Sequence, residues 1–252
     1  MCFFMMDIIF NEVKNLLEND KSGHDINHIR RVLLMSSRFA LAEGADANLV
    51  ELISLLHDVD DYKLFGSAAA EMLLNARRIM DKAGVDLNTQ KIVCHAIKQI
   101  GFQKRLMGIV PDTLEGMVVS DADMCDAMGA TGIIRTHAYG MSHNRIFFDP
   151  MVNPTSITSN GVSSSISVCH FFEKLLMLDY YMLTESGKNE AIARKEIMIN
   201  FLKHLFLEEE TPEWANYLDN YLKVKKRSWL NVFYFIIALK YVLNSIFTES
   251  FG

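Results

Sequence analysis

The chain has 252 residues and a mass of 28.7 kDa, with 50% hydrophobic and 22% charged residues; this balance excludes wholesale disorder, collagen-like repeats and a multi-span membrane protein. Its net charge of −6, from 25 Lys+Arg against 31 Asp+Glu, gives no electrostatic basis for binding nucleic acid. The four cysteines, Cys2, Cys94, Cys125 and Cys169, form no CxxC pair, which argues against a zinc ribbon or disulfide scaffold and for a reducing, cytoplasmic setting.

Only 4 prolines occur, and Leu/Met/Phe-rich runs predict an all-α fold. The opening MCFFMMDIIF lacks a basic leader and a cleavage site, so it reads as the first turns of a packed helix and not as a secretion signal. From Asp25 to Ala42, Ile29, Val32, Leu33, Ser36, Phe39 and Ala40 recur at helical spacing, with Ser22 and Asp25 placed as a capping box. A second helix spans Ala47 to His57 on Leu49, Leu52, Ile53 and Leu56. A third runs unbroken over Ser67–Ala83 to Gly84, and a fourth from about Asn88 to Gly101. Pro111-Asp112, followed by Glu115, starts a fifth that runs through Met128. Residues 140–165, rich in Asn, Ser and Pro, read as one long loop of the kind that forms lids and binding sites. Helix resumes over 167–183 and 189–209.

The basic run 223–227 precedes Trp229–Phe247, an apolar stretch about 29 Å long if helical, close to a bilayer's hydrocarbon thickness. Lys240 near its middle, with Asn231, Asn244 and Ser245, weighs against a membrane span. A docked or homodimerising helix is the favoured reading, and weak membrane association is the alternative. The expected organisation is therefore one domain over 1–210 and an extension over 211–252.

Three segments combine ligand-type side chains with apolar helical surroundings: GHDINHIRRV with His24, Asp25 and His28, LLHDVDDYK with His57, Asp58, Asp60 and Asp61, and VVSDADMCDA with Asp121, Asp123 and Asp126. Each type has a plainer role, since a single helical histidine is commonly a hydrogen-bonded core or surface residue and an Asp run a cap or solvated face. The adjacent His57-Asp58 after LISLL is harder to place that way, because burying the pair without a partner costs several kcal/mol. A His/Asp set without thiolates suits one divalent ion, with Mn²⁺ expected first and Mg²⁺, Fe²⁺, Co²⁺ or Zn²⁺ as alternatives. Walker, dinucleotide-binding and nucleophile-elbow motifs are absent.

The order His28, His57-Asp58, Asp123 resembles the H…HD…D signature of the HD-domain phosphohydrolase superfamily. SGHDINHIRRV, LLHDVDDYK, VVSDADMCDAMGATGIIRTHAYG, RIFFDP, HFFEKLLML and TESGKNEAIARKEIM are similar to successive blocks of its stand-alone bacterial YpgQ/YedJ-like group, over about residues 20–205. The resemblance implies one metal on His28, His57, Asp58 and Asp123, with Asp121 as rival to Asp123, and hydrolysis of phosphate esters or anhydrides. It also implies Asp61 as the group that orients or deprotonates water. By its i, i+3 spacing Asp25 is the expected partner of His28, and Arg135, Lys174, Lys104 and Arg145 are the candidate substrate cations, Arg135 and Lys174 first because they lie in the shared blocks. Within that group a (deoxy)nucleoside triphosphate cleaved to monophosphate and pyrophosphate is the expected reaction. A nucleotide phosphomonoesterase and a non-catalytic binding or scaffolding protein are the alternatives. The group's Arg after the last aspartate is Met124 here.

Overall fold

In the computed structural model, which describes residues 3–18, 25–154 and 166–224, the helices follow the apolar periodicity of the chain. In chain order these are α1 (Phe3–Leu17), α2 (Ile26–Glu43), α3 (Ala47–Leu56), α4 (Tyr62–Phe65), α5 (Ser67–Met72), α6 (Leu74–Ala83), α7 (Leu87–Gln99), α8 (Phe102–Leu106), α9 (Leu114–Asp126), α10 (Gly129–Ser142), α11 (Cys169–Glu173), a 3₁₀ turn over Leu175–Tyr181, and α12 (Glu185–Glu208). Residues 212–224 form a further helix, α13. The fold is all-α. Among the described residues the sole extended pairing is an isolated bridge between Ile146 and Ile166, and no helix is long and apolar enough to cross a membrane. The segment 229–247 lies outside the described residues.

Contacts group the described residues into two units, one within 1–148 and 166–200, the other within 149–154 and 201–224. In the first, α2 buries Ile29, Val32, Met35, Ser36, Phe39 and Ala40 along one face against α3 and α9. α9 is buried nearly all round, which is why its sequence looks apolar without a clean stripe. The Ser36 and Ser54 hydroxyls, 2.7 Å apart, satisfy each other where α2 meets α3. In the second unit Trp214 is buried beside Phe206, and its indole N–H donates to the Val152 carbonyl at 3.0 Å.

Tertiary contacts move several expected boundaries. The predicted third helix breaks at Leu73, which adopts φ 52°, because the buried Asp60 carboxylate accepts from the Asn75 and Ala76 amides and so caps a new start. Asp25 itself caps α2, accepting from the His28 amide at 2.9 Å; Ser22 and His24 lie outside the described residues. Thr113, not Asp112, caps α9, while Asp112 pairs with His95 on the surface at 2.9 Å. α10 fills 129–142, so the expected loop begins three residues late, and residues 155–165 of it are outside the described set. The expected helix over 167–183 divides into α11 and the 3₁₀ turn, and its last residues are drawn into an interaction with α9.

That interaction is made by Asp121. Fully buried, its carboxylate accepts from the Leu183 amide (2.9 Å), the Thr184 amide (2.7 Å) and the Thr184 hydroxyl (2.8 Å), and α12 starts four residues before its predicted onset. A Cβ on Gly187 would lie 2.4 Å from Asp121 Oδ2, so the close approach requires glycine. Asp121→Ala would leave these donors buried without an acceptor, a loss of about 2–4 kcal/mol; urea denaturation of the variant is expected to show it as a lower midpoint.

Candidate metal centre

His28 stands in the first turn of α2, His57 at the C-terminus of α3, Asp58 in the turn that follows, and Asp123 on α9. Four donor atoms from these elements face one point. His28 Nε2 lies 3.2 Å from His57 Nε2, 3.2 Å from Asp58 Oδ2 and 3.5 Å from Asp123 Oδ1. His57 Nε2 lies 3.6 Å from Asp58 Oδ2 and 3.9 Å from Asp123 Oδ1. Ligands about 2.1 Å from a cation and roughly 90–109° apart stand about 3.0–3.4 Å from one another. The edges among His28, His57 and Asp58 are close to that size, so these three fit a single divalent ion, and Asp123 Oδ1 stands beside both imidazoles. The His28 and His57 side chains are each 1% exposed, against 13% for Asp58 and 25% for Asp123. The cluster therefore has a closed imidazole side and an open carboxylate side.

The imidazoles are held from behind. His57 Nδ1–H donates to the Ser54 carbonyl at 2.8 Å, which leaves the Nε2 lone pair for the centre. His28 Nδ1 donates to Asp126 Oδ2 at 2.7 Å. Asp126 is fully buried and is also gripped by Arg31, through Nε at 2.7 Å and Nη2 at 3.1 Å, and by Arg135 Nη1. Burial pulls the Asp126 carboxyl upward, but its bonds to His28 and Arg31 and the charge of Arg135 hold it well below the usual carboxylate range. Burial likewise opposes charge on His28, yet Asp126, Asp58 and Asp123 outweigh it and push its pKa up to about 9. The site therefore calls for positive charge at the very point the donor atoms face.

Asp121 is bound to the start of α12, whereas Asp123 Oδ1 faces the histidines, so of the two it is Asp123 that the fold brings to the cluster. The predicted link from Asp25 to the His28 ring is not formed: Asp25 caps the backbone and Asp126 holds the ring. Asp123 and Asp126 lie three apart on α9, on neighbouring rows of one face, and that spacing was the available signal for the pair. Met124 is buried in the core. Where the resembled group has an arginine, guanidinium charge comes to this site from Arg31 and Arg135, reached from α2 and α10.

The remaining expected residues make other contacts. Arg135 is engaged on Asp126 and so acts on the centre from behind. Asp61 closes the turn after Asp58, its amide donating to the Asp58 carbonyl at 3.1 Å. Its charge acts on Lys104, which is half-buried and donates to the Ile97 carbonyl at 3.3 Å. Lys174 Nζ stands 4.8 Å from the centre of the Phe102 ring. Burial, with the charges of Lys174 and Arg145, presses His170 down to about 4, which places those two cations in a common field.

An all-α chain that brings two imidazoles and a carboxylate within 4.8 Å of one another, with a second carboxylate beside them, fits the class of metal-dependent hydrolases. The HD domain family model matches residues 25–128. YpgQ of Bacillus subtilis (strain 168) is 30% identical over 198 residues, 77% of this chain and 88% of that protein. The crystal structure of an HD-superfamily hydrolase from Bacillus thuringiensis is similar with a TM-score of 0.64 at 33% identity, covering 81% of this chain and 96% of that one. The structure of B. subtilis YpgQ in complex with ADP aligns with a TM-score of 0.61 at 27% identity, over 81% and 94% of the two chains. The chain belongs to the HD-domain family, in its YpgQ-like group, and is an HD-type metal-dependent phosphohydrolase acting on a small-molecule substrate.

Replacing Asp126 by Asn keeps the shape but removes the charge that orients His28. Isothermal titration of Mn²⁺ into Asp126→Asn is expected to give an affinity about 10–100-fold below that of the native chain, with the helical circular dichroism unchanged.

Proposed function

We propose that the protein is a cytoplasmic nucleotide pyrophosphohydrolase that cleaves a (deoxy)nucleoside triphosphate to monophosphate and pyrophosphate with Mn²⁺ as its working ion. The observation that carries this reading is the cluster of His28, His57 and Asp58 with Asp123 beside it, open on its carboxylate side. The ADP bound in the YpgQ structure supports a nucleotide as the substrate.

His28, His57, Asp58 and Asp123 would hold the ion. When held there, Mn²⁺ would lower the pKa of water and neutralise charge on a phosphoryl oxygen. Asp61 is assigned to orient the attacking water and accept its proton, since it leaves the same turn as Asp58. Water adds to the α-phosphorus, the bond to the β-phosphate bridging oxygen breaks, and pyrophosphate departs. Lys104, Lys174 and Arg145 supply the positive field for the phosphates, while Asp126, under Arg31 and Arg135, keeps His28 turned to the centre. The His28 and His57 rings, closed off from solvent, leave the carboxylate side as the approach for substrate.

The test is a nucleotide panel assayed with Mn²⁺, reading pyrophosphate and orthophosphate separately. Pyrophosphate release that Asp58→Ala lowers by about 10³-fold or more is expected. Orthophosphate alone would replace this reading by a phosphomonoesterase, and no product with any divalent ion would overturn the enzymatic reading.

The proton step gives a separate outcome. Asp61→Asn should lower kcat by about 10²–10⁴-fold while leaving Mn²⁺ stoichiometry unchanged, read by steady-state kinetics beside metal analysis; an unaltered kcat removes Asp61 from the reaction.

A further inference from the structure

Arg105 lies in the last turn of α8 and is only 9% exposed, so its charge is carried into the protein. Among the described residues its guanidinium makes one hydrogen bond, from Nη2 to the Ser120 hydroxyl at 2.9 Å. Burial pushes the guanidinium down from its ordinary value, and the charge that opposes this is Asp121. Yet Asp121 already accepts from Leu183 and Thr184, and no ion pair joins it to Arg105 among the described residues. A guanidinium carries five N–H donors in a planar fork. A buried cation with one neutral partner is costly unless an anion completes its shell.

The surroundings of Arg105 say where such an anion would come from. Ser120 lies three residues before Asp123 on α9, one helical turn from that member of the metal cluster and on the neighbouring row of the helix. The adjacent Lys104 feels the charge of Asp61. At the other end of α8, Phe102 lies beneath Lys174. This five-residue helix thus carries Lys104 and Arg105 and sets Phe102 beneath Lys174, with Lys104 in the field of Asp61.

We propose that Arg105 is a substrate-binding residue that grips the phosphate oxygens of the departing pyrophosphate group. The proposal rests on the phosphohydrolase reading above and adds to it a residue that motif spacing does not mark. The guanidinium can hold two oxygens at once, which a lysine at the same place cannot do. It also reads chain length: a substrate without the distal phosphates leaves the fork unfilled and gains nothing from it.

The test uses the full chain with Mn²⁺ and inorganic pyrophosphate as the probe, titrated by calorimetry into the native protein, Arg105→Gln and Arg105→Lys. Arg105→Gln is expected to bind pyrophosphate about 10-fold or more weakly, with Mn²⁺ stoichiometry unchanged and KM for the triphosphate raised more than kcat is lowered. Arg105→Lys retains a positive charge near Asp121, so it should keep the native melting temperature and still lose affinity for pyrophosphate. Native affinity and KM in both variants would overturn the proposal and leave Arg105 as a counter-charge to Asp121. If Arg105→Gln does not fold, the lysine variant decides in the same way. In the native chain the assigned ¹⁵Nε resonance of Arg105 should also move on titration with pyrophosphate, and a stationary resonance overturns the proposal. A native protein that turns over triphosphates while both variants behave normally sinks the role of Arg105 alone. A native protein that neither binds pyrophosphate nor hydrolyses any nucleotide sinks the hydrolase reading and this role with it.

Discussion

Charge balance around a buried carboxylate governs this structure. Asp126 has no solvent exposure, and its neighbours in the centre include two further carboxylates, Asp58 and Asp123. Three acidic groups so close would repel one another and resist burial. Arg31 and Arg135 answer that demand from opposite sides of the chain's order, and His28 is left between Asp126 and the open position. With its ring fixed at Nδ1, the imidazole can present only Nε2 forward. The charge arrangement and the metal-binding geometry are thus the same feature seen from two sides.

A second buried carboxylate, Asp121, does a different job two residues earlier on the same helix. It joins α9 to the start of α12 through backbone amides, and Gly187 permits the close approach. Three acidic positions within six residues of α9 thereby divide among anchoring α12, facing the cation position and orienting a ligand. Helical geometry makes the division: residues two apart point about 200° from each other, residues three apart about 60°.

Most of the architecture was readable in the chain. The 3.6-residue period of apolar positions identifies α2 and α3, and the blocks from SGHD to TESG identify the family. Two of the misplacements share a cause. The break at Leu73 answers to Asp60, which lies distant in sequence from the amides it caps. The early start of α12 answers to Asp121, again a remote carboxylate. Local propensity carries no information about a cap contributed by another part of the chain.

For the centre, ligand type narrowed the choice to three short segments, and the resemblance of the ordered blocks named His28, His57, Asp58 and Asp123, with Asp121 left as rival to Asp123. The partner of His28 was another matter. Asp25 sits at an attractive i, i+3 spacing, but its carboxylate is spent on the α2 amide, while Asp126 arrives from 98 residues away with two arginines to neutralise it. Which of several acidic side chains can be buried beside an imidazole depends on where compensating charge converges in space. That convergence is decided by the packing of α2, α9 and α10, and the chain's linear order does not contain it.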